Sequence, residues 1–308
     1  MEATPPSGWP RKTREMQNHH MDSTRWNDFP IRDGDIVIAT WAKSGTTWMQ
    51  QIVAQLLADG AEQPGVLDAS PWIEMRVIPL AHMLDAAARQ TDRRCLKTHL
   101  PVDALVFAPQ ARYVYVARDG RDAYWSWHHH HASYTDWAYK GLNETPGLVG
   151  PPLAPPPEDI VEGFRNWLEN DGAPVWPFFS NIRSWWEIRQ LPNVLLLHFN
   201  DLKADLEGCI RRVAGFLEIP FSESRLPDIV EHCSFDYMKT HADTLSSRLE
   251  RSMKGGARTF INQGTNGRWQ AVLSATDSAR YEAVAARELP PECARWLARG
   301  GSQADSGE

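Results

Sequence analysis

Residues 36–48, IVIATWAKSGTTW, combine features that could bind an anion. An apolar, β-branched run predicts a strand, and the amphipathic run after it predicts a helix. Between them lies a short glycine-containing segment, residues 43–47, called the anion loop here. Backbone N–H groups without partners and the helix dipole favour negative charge at such a helix N-terminus. Lys43 adds a positive charge, while Thr46 and Thr47 add hydroxyl donors. The loop is therefore predicted to hold a phosphate-like group.

The position of the lysine separates this loop from a standard P-loop, which reads Gly, four residues, then Gly-Lys-Ser/Thr. When the two are aligned on Gly45, Thr40 stands at the first glycine and Thr46 at the lysine. Lys43 instead precedes Gly45 by two residues. The spacing favours a nucleotide with a 5′ diphosphate-like group held without metal. A P-loop-type nucleotide kinase, with Asp119 serving magnesium, remains an alternative.

Two more predicted strands end in residues that could do chemistry. Lys97 lies near the end of the run at 94–98 and His99 follows it, while Arg118 follows the run at 111–117. Ligands of open α/β sheets bind at the carboxyl ends of the strands, so these side chains are expected near the anion loop. An imidazole can take a proton near neutral pH, and lysines can stabilise developing negative charge. The residues suit the transfer of an anionic group to a hydroxyl.

These stretches resemble the cytosolic-type sulfotransferases, which use 3′-phosphoadenosine 5′-phosphosulfate (PAPS). The family's T-Y-P-K-S-G-T-T-W loop corresponds to residues 40–48, and its K-T-H-L-P stretch to residues 97–101. Arg118 and Ser126 keep the separation of the family's Arg and Ser at the 3′-phosphate. The resemblance extends over roughly residues 18–298.

The resemblance implies a role for each matched residue. Lys43 would contact the 5′-phosphosulfate, including the bridging oxygen of the leaving group. His99 would be the catalytic base, and Lys97 would donate to the transferring sulfonate. The implied nucleotide-binding residues are Lys43, Ser44, Gly45, Thr46, Thr47, Trp48, Arg118, Ser126, Phe199, Cys233, Phe235, Asn262, Gln263 and Gly264.

The C-terminal motif departs from the family pattern R-K-G-x-x-G-x-W. Within residues 260–269, Asn262 and Gln263 replace the arginine and the lysine, so two charges usually offered to the 3′-phosphate are missing. Arg258 or Lys254 could compensate. A non-catalytic protein that binds PAPS or its desulfated product, 3′-phosphoadenosine 5′-phosphate (PAP), therefore stays an alternative.

The elements that must position these residues alternate along the chain. Strands are predicted at 35–40, 94–98, 111–117 and 193–199, and helices near 46–58, 121–132, 159–170, 178–190, 204–217 and 276–288. Alternation predicts an α/β fold, a single three-layer domain with a central parallel sheet flanked by helices, similar to the P-loop NTPases. We expect a polar, loosely packed lead-in at 1–34, the sulfotransferase domain at 35–298 and a disordered tail at 299–308.

The composition and charge of the chain limit the kinds of partner that we expect. The net charge of −7 disfavours nucleic acid and polyanionic acceptors. The four cysteines form no C-x-x-C pair or zinc spacing, which suits reduced thiols in the cytoplasm. No apolar run approaches 18 residues, so no membrane span is predicted. We expect a small hydroxylated acceptor, aromatic or otherwise apolar. The family's dimer motif is not matched, which leaves the oligomeric state open.

Two further segments have more than one interpretation. The proline-rich residues 145–157 are expected to form an exposed connection, and the alternative is a lid over the acceptor pocket. The run from His128 to His131 places two imidazoles at i, i+3 on one helix face. A helix surface with one or two pocket residues is favoured there over a metal site.

Overall fold

Four parallel strands form the central sheet of the computed structural model, which describes residues 8–63, 65–244, 246 and 248–301. In the order β2-β1-β3-β4, the strands are β1 Ile36–Thr40, β2 Cys95–Thr98, β3 Arg112–Ala117 and β4 Val194–His198. Ile36 pairs with Cys95 on one side and with Arg112 on the other. Nearly every strand residue is buried, as expected for a parallel sheet covered on both faces.

Helices connect and cover the strands. They are α1 Thr46–Leu57, α2 Val66–Ala69, α3 Leu80–Ala88, α4 Gly120–Ala132, α5 Asp136–Glu144, α6 Ile160–Glu169, α7 Phe179–Glu187, α8 Phe199–Ala204, α9 Leu206–Leu217, α10 Leu226–His232, α11 Phe235–Thr240, α12 Leu249–Ser252, α13 Gly256–Phe260, α14 Ala275–Glu288 and α15 Pro291–Arg299. Short 3₁₀ helices span Ser23–Trp26, Val102–Ala104, Glu223–Arg225, Ala242–Thr244 and Arg268–Ala271. The six predicted helices match α1, α4, α6, α7, α9 and α14. No helix in the described part of the chain is long and apolar enough to cross a lipid bilayer.

The two faces of the sheet lie in separate hydrophobic clusters, which gives the three layers. Successive strand residues point to opposite faces. Val37 and Tyr113 therefore join the cluster that contains most of the buried tryptophans. Ile36 and Val114 join the cluster formed with α1 and α9. The predicted single α/β domain with a central parallel sheet is confirmed.

The segment before β1 is not loosely packed, so that expectation was wrong for the residues described. Met21 and Trp26 are fully buried, and Phe29 is nearly so. Their apolar side chains belong to the main core cluster, although the surrounding sequence is polar. Residues 1–7 of the lead-in and 302–308 of the tail lie outside the described residues.

The proline-rich connection is held at several points. The Leu153 side chain is buried, and its backbone N–H donates to the Asn143 side chain at 2.8 Å. Arg76 donates to the Thr145 carbonyl at 2.6 Å. All of residues 145–157 are described, and none of them lines the main cavity presented below, which speaks against the lid interpretation.

Candidate active site

A cavity of about 230 Å³ lies at the carboxyl ends of β1, β2 and β3. It brings together most of the residues that the sequence nominated. The predicted site residues on its wall are Lys43, Gly45, Thr46, Thr47, Trp48, Lys97, His99, Arg118, Ser126, Phe199, Phe235, Asn262 and Gly264.

Three nominated residues lie elsewhere. Gln263 lines a smaller neighbouring cavity. Ser44 is fully buried within the anion loop, and its hydroxyl has no hydrogen-bond partner among the described residues. Cys233 is also fully buried, in the cluster beneath α1. The carbonyl of Cys233 accepts the Trp48 indole N–H at 2.7 Å, so this cysteine supports the wall without being part of it.

The anion loop needs unusual backbone geometry. Lys43 and Gly45 have φ of 63° and 107°, and α1 begins at Thr46. The Thr46 hydroxyl is 2.6 Å from the Thr40 hydroxyl, which ties the helix N-terminus to β1. A Cβ atom on Gly45 would lie 3.1 Å from the Phe199 ring. Glycine at position 45 therefore permits both the turn and the close approach of this aromatic wall.

His99 presents one defined ring nitrogen for chemistry. Its Nδ1 is 2.8 Å from the Thr40 carbonyl oxygen. Because a carbonyl can only accept, Nδ1 carries the proton, and Nε2 of the neutral ring is an acceptor. Burial, then the charge of Lys97, keeps the pKa of His99 well below its ordinary value. The centroid of the His99 ring lies 5.5 Å from that of Trp176, which is stacked against it, and 4.8 Å from that of Trp72, which meets it edge-on.

A buried glutamate fixes the backbone of this histidine. The Glu74 carboxylate accepts the His99 backbone N–H at 2.7 Å, the Thr98 hydroxyl at 2.9 Å and the Trp26 indole at 2.8 Å. The Asn181 side chain donates to the His99 carbonyl at 3.0 Å. His99 is therefore held on both sides of its Cα atom. Nothing in the motif pattern nominated Glu74, since it precedes β2 in an irregular segment.

Two lysines supply positive charge beside His99. Burial, with repulsion from Lys97 and Arg118, lowers the pKa of Lys43 to about 7. Burial lowers the pKa of Lys97 to about 8, although Glu74 opposes the shift. Lys43 Nζ lies 4.7 Å from the Phe260 ring centroid. Among the described residues, neither lysine forms a salt bridge.

Arg118 joins the anion loop to the C-terminal motif. It donates to the carbonyl of Lys43 at 3.1 Å, to the carbonyl of Thr265 at 2.9 Å and to the Asn266 side chain. Its guanidinium lies 4.2 Å from the Phe199 ring centroid. It makes no ion pair with either neighbouring aspartate. Burial lowers the pKa of Arg118 to about 10, which still leaves it charged at neutral pH.

A second cavity, of about 30 Å³, adjoins the main one. Arg118, Ser126, Asn262 and Gly264 line both spaces. The remaining residues on the wall of the small cavity are Asp122, Trp125, Gln263, Thr265 and Arg268.

Neither expected substitute cation lies on the wall of either cavity. Arg258 is mostly exposed and faces Asp243 at 3.6 Å, and Lys254 is exposed. Lys203 and Arg268, which motif matching did not nominate, are on the walls instead.

Sequence reasoning missed most of the other residues on the wall of the main cavity. They are His20, Trp72, Trp127, His130, His131, Tyr134, Trp176, Met238, Phe260 and Ile261. His130 and His131 agree with the expectation of one or two pocket residues in the histidine run, whereas several of the others come from distant segments that no local spacing could group. No aspartate or glutamate of the described chain lines the cavity. Trp137 does not line the cavity and is exposed.

A directional hydrogen-bond chain runs along this wall. His19 Nε2 donates to the Pro174 carbonyl at 2.7 Å, so its Nδ1 accepts from His20 Nδ1 at 2.5 Å. His20 Nε2 then accepts the Tyr134 hydroxyl at 3.5 Å. That hydroxyl accepts from His130 Nε2 at 3.2 Å. Burial lowers the pKa of all three histidines, which keeps the imidazoles neutral.

The kinase and metal interpretations find little support in the geometry. Asp119, proposed for magnesium, pairs with Arg121 at 2.7 Å and does not line the main cavity. His128 Nε2 donates to the Pro157 carbonyl at 2.7 Å, and His131 Nδ1 to the Trp127 carbonyl at 3.1 Å. Across the described ranges, no three His, Cys, Asp or Glu side chains are grouped so that they could hold a metal ion.

Comparison with known proteins decides the family. The family model described as the sulfotransferase domain matches residues 33–291. The chain belongs to the sulfotransferase family. This sulfotransferase is 30% identical over 301 residues to a glycolipid sulfotransferase of Mycobacterium bovis (strain BCG / Pasteur 1173P2), covering 91% of this chain and 92% of that protein. It is 28% identical over 274 residues to Sulfotransferase 1B1 of Mus musculus, covering 86% of each.

Solved structures of sulfotransferases share the fold. Mouse sulfotransferase SULT7A1 complexed with PAP has a TM-score of 0.65 at 20% identity, over 89% of this chain and 91% of that chain. Retinol dehydratase in a complex with retinol and PAP has a TM-score of 0.68 at 21% identity, over 88% and 87%. These structures confirm the predicted fold, and the family match and the curated relatives confirm the enzyme class, a sulfotransferase.

Proposed function

We propose that this sulfotransferase transfers the sulfonate group of PAPS to a hydroxyl of a neutral, largely apolar small molecule, with His99 as the general base. The observation that carries the proposal is the hydrogen bond from His99 Nδ1 to the Thr40 carbonyl. It fixes the tautomer in which Nε2 has a lone pair, on a side chain that lines the cavity. The lowered pKa of His99 keeps that lone pair available at neutral pH.

In each turnover of the proposed reaction, the lone pair of His99 Nε2 accepts one proton. His99 Nε2 takes the proton of the acceptor hydroxyl while the hydroxyl oxygen bonds to sulfur. The bond between sulfur and the bridging oxygen breaks, and its electron pair leaves with PAP. Lys97 and Lys43 stand beside His99 on the cavity wall and offset the negative charge on the sulfonate and the leaving phosphate.

The nucleotide is proposed to lie across the anion loop. The N-terminal end of α1 and Lys43 suit the 5′-phosphosulfate. Trp48 and Phe199, 5.4 Å apart between ring centroids, give aromatic surface for the adenine, and Phe235 adds to it. Two structural relatives, mouse SULT7A1 and retinol dehydratase, have structures in complex with PAP, which supports the corresponding donor here.

The chemistry of the wall supports a neutral acceptor. No carboxylate among the described residues lines the cavity, so an ammonium group would find no counter-charge there. Trp72 and Trp176 provide apolar surface next to the His99 ring. The relative from Mycobacterium bovis is named a glycolipid sulfotransferase, so a sugar hydroxyl on a lipid is one candidate acceptor.

An acceptor screen with ³⁵S-labelled PAPS tests the proposed acceptor class. The panel consists of phenols, sterols, primary alcohols, neutral glycolipids and primary amines. We expect transfer to one or more neutral hydroxyl compounds and at most weak transfer to amines. Preferential transfer to amines would contradict the proposed acceptor class.

Replacement of His99 by alanine tests the base. We expect kcat to fall ~100-fold or more with the best acceptor, as is typical when a general base is removed. The affinity for PAP, measured by calorimetry, should change little. His82→Ala, which removes an exposed histidine from α3, is the matched control and should keep full activity. Near-normal transfer by His99→Ala with several acceptors would rule out His99 as the base.

A further inference from the structure

Arg268 has a position in the small cavity that no motif assigned to it. The space is shared with Arg118, Ser126 and the backbone of Gly264, the residues expected at the 3′-phosphate. Arg268 lies one residue before Trp269, where the family pattern leaves the residue type open. Arg118 and Arg268 are the two cationic residues among the described residues that line this cavity.

Arg118 has little capacity left for a phosphate. Of the five N–H groups of a guanidinium, Nε and one N–H of Nη2 are directed at the Asn266 side chain. The second Nη2 N–H donates to the Thr265 carbonyl, and one Nη1 N–H donates to the Lys43 carbonyl. Four of the five are therefore committed to the protein. Arg118 therefore shapes the site and adds positive charge to it. One of its N–H groups remains for direct contact with a phosphate.

Arg268 is in the opposite situation. Within the described chain its side chain makes one hydrogen bond, from Nη2 to His129 Nε2 at 3.2 Å, and it has no carboxylate within 4.0 Å. Because a guanidinium can only donate, His129 accepts through Nε2 and is neutral in this arrangement. Burial and the charge of Arg268 lower the pKa of His129 accordingly. Arg268 thus keeps its charge and most of its N–H groups available.

Among the described residues, one acidic side chain, Asp122, shares the small cavity. Its Oδ1 accepts the Gly267 backbone N–H at 2.7 Å, which fixes the turn that carries Arg268. Against this single carboxylate stand the charges of Arg118 and Arg268. The net charge of the small cavity's wall is positive only because Arg268 is present, since Asn262 and Gln263 are neutral.

We propose that Arg268 is the residue that recognises the 3′-phosphate of the nucleotide, in place of the two cations missing at positions 262 and 263. The inference rests on the proposed use of PAPS. A guanidinium presents paired N–H groups that match two phosphate oxygens. Arg268 therefore determines whether the protein distinguishes PAP from adenosine 5′-phosphate (AMP), which differs from PAP by the 3′-phosphate alone.

The test is calorimetric titration of the full-length protein with PAP and with AMP. In Arg268→Gln we expect the PAP affinity to fall ~10- to 100-fold, the usual effect of removing a charged hydrogen-bonding group. The AMP affinity should stay within about twofold, which also shows that the variant is folded. An unchanged PAP affinity, or equal losses for PAP and AMP, would overturn the assignment.

Two further variants sharpen the result. Arg258→Gln removes an exposed arginine of the same segment that lines neither cavity, and it should bind PAP normally. Adding Asn262→Arg and Gln263→Lys to Arg268→Gln should restore part of the preference for PAP. If Arg268→Gln loses its preference for PAP and the two added cations restore none of it, the loss does not come from missing charge at the 3′-phosphate, and the role of Arg268 is refuted.

Titration of the wild-type protein with PAP and AMP distinguishes a failure of the proposed donor from a failure of the role of Arg268. If the wild-type protein binds PAP no more tightly than AMP, the proposed donor is wrong and the inference falls with it. If it prefers PAP and Arg268→Gln keeps that preference, only the inference fails.

Discussion

The lysines of the site lose their protons more readily than ordinary lysines. The pKa of Lys43 is about 7 and that of Lys97 about 8, because both side chains are desolvated within the cavity wall. A bound phosphosulfate would favour the protonated form of both. Nucleotide binding is therefore expected to take up protons above neutral pH.

The affinity for PAP should consequently fall as the pH rises from about 7 to 9. Each coupled proton contributes up to ~10-fold per pH unit once the pH exceeds the pKa of the free lysine. Lys43→Arg should bind PAP with a flatter pH profile, since a guanidinium stays charged throughout this range. The measurement is calorimetry at several pH values in buffers of different ionisation enthalpy. Lys254→Arg, at an exposed position, should keep the wild-type profile. A pH-independent affinity in the wild type would contradict the proposed coupling.

At the scale of elements, the link between β1 and α1 shapes the proposed nucleotide site. The loop turns through two residues with positive φ, Lys43 and Gly45, before α1 begins. Phe199, the first residue of α8, packs directly over Gly45. The same contact also orders the aromatic wall, so the loop and α8 form one unit.

Gly45→Ala should disturb this unit. The new methyl group would meet the Phe199 ring at 3.1 Å, at a φ of 107° that L-residues rarely adopt. We expect a loss of ~1–2 kcal/mol in the free energy of unfolding and weaker PAP binding. Gly141→Ala is the matched control, because position 141 lies inside α5 and a methyl group there would have no atom of another segment within 4 Å.

That control should leave PAP binding unchanged and stabilise the protein by ~0.5–1 kcal/mol. Chemical denaturation and calorimetry measure both effects. Wild-type stability and wild-type PAP affinity in Gly45→Ala would show that the loop tolerates a side chain at this position.

At the scale of the whole molecule, the segment before the sheet supports His99, the proposed general base. Trp26 is fully buried, and its indole donates to Glu74, whose carboxylate also accepts the His99 backbone N–H. Burial raises the pKa of Glu74, so the carboxylate depends on these donors. The segment around Trp26 is thus part of the active-site framework.

Trp26→Ala should therefore reduce both stability and activity. We expect a loss of ~3–5 kcal/mol in the free energy of unfolding, from the cavity and the lost hydrogen bond. Trp26→Phe keeps an aromatic ring but removes the indole N–H, so its smaller loss combines the hydrogen bond to Glu74 with reduced packing. Trp137→Ala, at an exposed tryptophan, should change stability by less than ~0.5 kcal/mol. Comparable effects at Trp26 and Trp137 would show that the N-terminal segment does not support the core.

The strands, the longer helices and the proposed nucleotide side of the cavity could be predicted from the sequence. β1 to β4 are short apolar runs, and the parallel pairing places their carboxyl ends together. Lys43, Lys97, His99 and Arg118 each lie at or just after the end of a strand, so local order along the chain determined where they would meet.

Only the tertiary structure decided the acceptor wall and the second layer of support. His20, Trp72, Tyr134 and Trp176 come from segments far apart in the chain and meet through packing. Glu74 and Arg268 have no motif of their own, and their partners His99 and His129 lie 25 and 139 residues away. Local periodicity reports on neighbours within an element, whereas contacts over such separations depend on how the elements pack. The sequence therefore determined the proposed donor side of this enzyme, and the fold determined which residues surround the proposed acceptor position.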